Sequence, residues 1–296
     1  MRLSVRGTSS LVFDDGSPVR AASAIAPFGD GHLIAQDDAT HAAWCRPGST
    51  VPVRVLDPVD GLEVFSSVAG TKHLKPDFEA ACPVGEGVLL LGSGSTPARM
   101  RASLVTAEGF TPVDLTVVYH RVAAALGVPV ESLNLEGACA VGDRLRWFQR
   151  GNAVAGAPTA CVDVDFAALL AAVAGGPADQ ITITGVRRYD LGAVAGVGLA
   201  VTDAVALGGG RVLVSAAAED TPNAYDDGPV VGAALVLLDD DGVLATAALP
   251  APDGAVPKVE GLAVSAATAG GLRLLAVVDA DDPVIPSREI DLELSW

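Results

Sequence analysis

Residues 136–152 read EGACAVGDRLRWFQRGN, and 57 residues earlier residues 79–95 read EAACPVGEGVLLLGSGS, with no gap between the two copies. Each opens on Glu, runs through a short apolar stretch to Val-Gly-Asp or Val-Gly-Glu, and resumes with a second apolar stretch. Two apolar runs flanking a Gly-bearing turn read as a hairpin. The pattern returns at 23–40, SAIAPFGDGHLIAQDDAT, at an offset of 56 that keeps Pro27 on Pro83 and Gly29 on Gly85. Looser copies begin at Val197 and Glu260. Repeat units therefore start near 23, 79, 136, 197 and 260 and fill the chain, and self-similarity at such a period governs the whole architecture.

Within the first unit, strands are expected at 23–28, 32–36, 41–46 and 51–56, with turns carrying Gly-Asp-Gly, Asp-Asp and Pro-Gly. In the fourth unit the inner strand is expected at 198–205. Two insertions, 115–127 and 166–176, have helical composition. Four strands in each of five units predict an all-β fold, a five-bladed β-propeller built as one domain over 1–296. Six blades is the alternative, if 56–78 or 112–131 held further strands. The last unit has room for only three strands, at 260–266, 272–279 and 288–295. The N-terminal stretch 3–13 is expected to supply its fourth, closing the ring and removing exposed sheet edges.

Composition narrows the partners. A net charge of −17 with only three lysines, Lys72, Lys75 and Lys258, argues against nucleic acid, whose affinity comes from basic side chains. The same balance argues against an anionic membrane surface, and no apolar run reaches the roughly 20 residues that span a bilayer. The N-terminus lacks the apolar core and cleavage site of a signal peptide, so a cytoplasmic location is expected. The four cysteines show no metal-ligand spacing and read as small buried hydrophobes.

In an antiparallel blade, the start of the first strand and the end of the second lie at the same end. With the first strand innermost, these positions converge on one mouth of the central channel. The strand starts contribute Glu79, Glu136 and Glu260, with Ser23 and Val197 in the other two blades; the ends of the second strands contribute Asp37, Asp38, Ser93, Ser95, Arg150, Asn152, Glu219, Asp220, Asp279, Asp281 and Asp282. The loops between blades add Lys72, His73, Lys75, Asp77 and Asn134. Strand interiors are almost wholly apolar, so polar residues concentrated at these places predict a site, the competing reading being that they cap strands and turns. Carboxylates pointing at one axis repel unless a cation or an arginine, Arg150 or Arg99, stands between them. A hard divalent ion, calcium above all, suits oxygen ligands such as Glu136, Asn152 and Asp279. Glu79 or Glu260 is then the acid or base, His73 is the one histidine near the mouth, and Arg150 and Arg99 orient an anionic group. No nucleophile elbow, phosphate loop or HExxH motif occurs.

At EGACAVGDRLRWFQRGN and VEGLAVSAATAGGLRLLAVVDADD the chain resembles esterase-like phytase propellers and the strictosidine-synthase-like and gluconolactonase-like group, whose blades open with Glu-Gly. It is also similar to small uncharacterised bacterial propellers carrying NLEGA and QRGN. The resemblance implies a propeller with calcium at the channel mouth and hydrolysis of an ester, phosphoester or lactone. The expected function is a metal-assisted hydrolase acting on a small polar or anionic ligand. The alternative is a non-catalytic propeller that binds a small ligand or a partner protein.

Overall fold

The computed structural model describes residues 1–152, 158–220, 228–251, 254–280, 282 and 284–296. Strand β1 (Arg2–Ser10) precedes the first blade, which consists of β2 (Ala22–Phe28), β3 (Gly31–Gln36), β4 (His41–Arg46) and β5 (Ser49–Arg54). The second blade is β6 (Phe78–Val84), β7 (Gly87–Gly92), β8 (Arg101–Thr106) and β9 (Gly109–Asp114), followed by helix α1 (Thr116–Leu126). The third is β10 (Leu135–Val141), β11 (Arg144–Gln149), β12 (Ala160–Asp165), helix α2 (Phe166–Val173) and β13 (Ile183–Arg188). A short hairpin of β14 (Ala193–Val194) and β15 (Val197–Gly198) leads to the fourth blade, β16 (Ala200–Gly208), β17 (Arg211–Glu219), β18 (Val230–Leu238) and β19 (Val243–Ala248). The fifth blade is β20 (Val259–Thr268), β21 (Gly271–Val278) and β22 (Arg288–Ser295), with β1 paired antiparallel to β22 as its outer strand. Five four-stranded blades result, and the ring closes through the N-terminal strand. The inner strands touch in the order β2, β6, β10, β16, β20 and back to β2.

The repeat's glycines have a geometric cause. Gly29, Gly85 and Gly142 open the turn between the first two strands at φ between 55 and 63°, where a side chain is strained. The Glu-Gly of the third blade has a second one. A Cβ on Gly137 would stand 2.7 Å from the backbone nitrogen of Ala204 in the next blade, so glycine lets two inner strands approach.

The first strands carry an irregularity at their inner end. Pairing of β6 with β7 skips Glu79, that of β2 with β3 skips Ser23, and that of β20 with β21 skips Glu260. An unpaired bulge residue re-aims its side chain away from the ladder, which carries these positions to the channel. Between blades, the Ser23 hydroxyl donates to the Phe78 carbonyl at 2.6 Å, and Asp203 accepts from the Leu262 amide at 2.6 Å.

Apolar faces fill the space between blades. Blades two and three enclose Leu89, Leu91, Trp147 and Val162, with Val118, Tyr119 and Leu126 of α1 and Leu169 of α2 sealing the outside. The Tyr119 hydroxyl donates to the Gly92 carbonyl at 2.7 Å while its ring meets Trp147 edge-on at 4.9 Å, which satisfies the one polar atom of a fully buried side chain. Cys82, Cys139 and Cys161 are buried and unbridged. Among the described residues no helix is long and apolar enough to cross a membrane.

Two expectations change. The fourth blade does not begin at Val197: Ala195 and Gly196 adopt left-handed φ values of 52 and 83° and fold 193–198 into the small hairpin, so the inner strand begins at Ala200. The N-terminal strand ends at Ser10, and Leu11 and Phe13 turn inward to pack with Ile25 and Val277. The stretch 56–78 holds isolated bridges and one turn of helix, Lys72–Leu74, and 116–126 is α1, so neither hides a sixth blade.

Candidate functional site

The bulged starts of the inner strands, the ends of the second strands and the loops between blades surround a cavity of about 400 Å³. Among the described residues, eight carboxyl groups line it against six cationic side chains. All three lysines of the chain are in this wall, with Arg20, Arg99 and Arg150. A segment running from Phe65 to Val68 forms part of the rim, with Phe65 buried and Val68 95% exposed.

The charges fall into three groups. Between blades one and two, the Lys75 ammonium contacts Asp77 at 2.9 Å and also Asp37. Arg99 contacts the other oxygen of Asp77 at 2.9 Å and donates to Ser95 at 2.8 Å, and the Ser93 hydroxyl donates to Asp77. Between blades three, four and five, Arg150 bridges Glu136, at 3.1 Å, and Glu219. Lys258 bridges Glu219 at 3.4 Å and Glu260 at 3.0 Å. At the seam of blades five and one, Arg20 contacts Asp38 at 2.7 Å, and Ser287 donates to Asp279 at 2.9 Å.

Glu136 is held on one side only. Its Oε1 accepts from Arg150 at 3.1 Å and from the Asn134 amide at 2.8 Å, while Oε2, with the side chain 6% exposed, has no partner among the described residues. Asn134 is itself fixed: its backbone amide donates to Gln149 Oε1 at 3.0 Å, and Gln149 Nε2 donates to the Ser132 carbonyl at 3.1 Å. Gln36, at the same place in the first blade, likewise receives the Arg20 amide at 2.9 Å. A glutamine closing the second strand thus pins the segment that enters the first.

Burial sets the protonation of these groups, since charge is disfavoured away from water. It pushes Glu136 up to about 7, against the pull of Arg150 and with the push of Glu260. It pushes Asp37 up to about 7, a rise that Lys75 offsets only in part. Glu79 stands well above the usual carboxylate range, from burial first and then from Asp77 and Asp37, and among the described residues it accepts no hydrogen bond. Burial alone would raise Asp77 as well, but Lys75, Arg99 and Ser93 together hold it below its ordinary value.

Of the residues expected to have a catalytic or metal-binding role, Glu79, Glu136, Glu260, Arg99, Arg150 and Asp279 line the cavity. Two do not. His73 lies on the outside of the one-turn helix Lys72–Leu74 and is exposed, because that turn directs Lys72 and then Lys75 to the cavity instead. Asn152 follows Gly151, whose left-handed φ of 80° turns the chain away after Arg150, and it is not part of the wall. Asp281 lies outside the described residues. Of the expected ligand set, Glu136 and Asp279 line the cavity. Among the described Asp, Glu, His and Cys residues, the group whose ligand atoms lie within 4.8 Å of one another is Asp37, Asp77 and Glu79. Arg20 and Lys258 were not legible as site residues by the repeat argument as applied, although Lys258 had a signal. It stands two residues before Glu260, as Asp77 does before Glu79 and Asn134 before Glu136.

No curated protein sequence matches the chain. Among solved structures it is similar to the luciferin-regenerating enzyme, with 9% identity over 98% of this chain and 96% of that one and a TM-score of 0.41. It is also similar to the WD40 β-propeller domain of Doa1, with 10% identity, 93% of this chain, 66% of that chain and a TM-score of 0.36. A third is AztD from Citrobacter koseri, with 10% identity, 93% and 75% coverage and a TM-score of 0.30. By sequence, residues 71–283 match a described family over more than half of the chain, and the protein belongs to that family, the family of unknown function DUF6910.

Proposed function

We propose that the mouth of the channel is the active site of a hydrolase, acting on an ester, phosphoester or lactone small enough for a cavity of about 400 Å³. The observation that carries this reading is Glu136, a buried carboxyl of the cavity lining with one oxygen clamped by Arg150 and Asn134 and the other without a partner among the described residues. A group titrating near neutrality is matched to proton transfer in both directions. In this role Glu136 Oε2 takes a proton from water as the water oxygen attacks the carbonyl or phosphoryl centre. The same oxygen returns that proton to the departing alkoxide, so the products are an acid and an alcohol. Arg99, whose Nε lacks a partner among the described residues, is placed to receive the negative charge that develops on the substrate. Glu260, tied to Lys258, is the weaker candidate for acid or base.

The divalent cofactor is also a proposal. Asp37, Asp77 and Glu79 fit a hard cation in donor type, and such an ion would polarise the substrate oxygen. Lys75 already contacts two of the three, so an ion would have to displace its ammonium.

The test is a panel of aryl esters, lactones and phosphomonoesters with wild-type protein and Glu136→Gln across pH 5–9. The reading expects turnover that rises through an apparent pKa near 7 and falls at least 100-fold in the variant. Turnover unaffected by Glu136→Gln would refute the assignment.

A further inference from the structure

Resting on the reading of the mouth as a ligand site, we propose that its ligand carries an organic ammonium group, seated between Glu79 and Glu136. The argument is one of pairing. Around the mouth, neighbouring carboxylates are bridged by cations of the protein itself: Lys75 joins Asp37 to Asp77, Arg150 joins Glu136 to Glu219, and Lys258 joins Glu219 to Glu260. Glu79 and Glu136 belong to adjacent inner strands, β6 and β10, which pack on one another, and both line the cavity. No cation of the chain bridges them among the described residues. Among the described residues, Glu136 Oε2 is buried without a partner and Glu79 accepts no hydrogen bond.

A buried carboxylate oxygen without a donor is costly, so its persistence in a cavity wall points to a donor that arrives with the ligand. The site already shows what kind suits it: the Lys75 and Lys258 ammoniums each serve two carboxylates, using the several donors such a group offers. A cavity of about 400 Å³ holds far more than an ion and falls within the range of small-molecule pockets. The rest of the ligand then reaches toward Arg99 and Lys72, the latter exposed at the rim.

Three probes of one size separate the contributions: ethanolamine, glycolate and ethylene glycol, titrated into the full chain at fixed ionic strength and followed by amide NMR shifts. The expected result is a dissociation constant for ethanolamine at least tenfold lower than for the other two, with shifts centred on residues 78–80 and 135–137. Glu79→Gln and Glu136→Gln should each weaken ethanolamine at least tenfold, while Asp143→Asn, at the opposite end of the blade and 89% exposed, leaves it unchanged. If Glu79→Gln does not fold, Glu136→Gln carries the same criterion. Glycolate binding as tightly as ethanolamine, or ethanolamine binding equally well in the folded variants, would overturn the proposal. So would calcium chloride that shifts the same amides and excludes ethanolamine. Binding is read without turnover, so a protein that hydrolyses nothing can still pass, and a failed titration leaves the proton-transfer role of Glu136 standing.

Discussion

Glu136→Gln should make the protein more stable at pH 8 and change it by less than about 1 kcal/mol at pH 5. In the folded chain burial lifts this carboxyl from 4.5 to about 7. The native state therefore holds a proton that the unfolded chain has already released across that interval. Where the native state binds more protons, stability falls as pH rises. The stability linked to Glu136 is thus complete below its unfolded pKa and is lost as pH climbs through about 7. At 1.36 kcal/mol per pH unit the interval amounts to about 3 kcal/mol, and with Glu136 only 5% exposed no large solvent discount applies. Glutamine copies the protonated side chain in shape and can still accept from Asn134, while Arg150 keeps Glu219. Urea unfolding of both proteins at half-unit steps from pH 4.5 to 8.5 gives the difference directly, provided the slopes agree. The expected curve starts within about 0.5 kcal/mol of zero at pH 4.5, passes about 1 kcal/mol near pH 5 and rises to about 3 kcal/mol in favour of the variant by pH 8. A variant less stable at pH 8 than at pH 5, relative to wild type, would show that Glu136 is ionised and gains more from Arg150 than burial costs it.

Other consequences are equally concrete. Removing residues 1–10 strips β1 from β22 and uncovers an edge together with the contacts of Leu3 and Val5, so the truncated chain should aggregate or melt at least 10 °C lower; an unchanged melt would mean that β1 adds nothing to closure. Gly137→Ala should cost about 3 kcal/mol in chemical denaturation, because its φ of 62° is strained for alanine and the new methyl meets the Ala204 backbone at 2.7 Å; a cost below about 1 kcal/mol would mean the two strands separate freely. If a divalent ion uses Asp37, Asp77 and Glu79, calcium should raise the wild-type melting temperature and raise it further in Lys75→Met, where the competing ammonium is gone. Calcium without effect on either protein counts against the cofactor.

The blades were legible because two signals agree: a fixed period, and a glycine wherever the turn between the first two strands needs a left-handed residue, as at Gly29, Gly85 and Gly142. In blade four only the start of the inner strand was misplaced, at 198 instead of Ala200, because the run from Val197 to Ala206 is apolar at almost every position and periodicity does not fix where the strand begins. The left-handed pair Ala195 and Gly196 decided it. The mouth was legible as a place, since Glu79, Glu136 and Glu260 share one position of the repeat. Who pairs with whom was not. That Arg150 serves Glu136 and Glu219 across two blades depends on how neighbouring blades rotate against each other, which no spacing within a unit records.

The claim that the mouth seats an organic ammonium group between Glu79 and Glu136 is tested most directly by a crystal structure of the protein grown with ethanolamine as the only added amine. The account predicts ordered density in the cavity, with a nitrogen within about 3 Å of Glu136 Oε2 and of a Glu79 oxygen. A cavity holding only water, with the amine bound on another face of the protein, would contradict it.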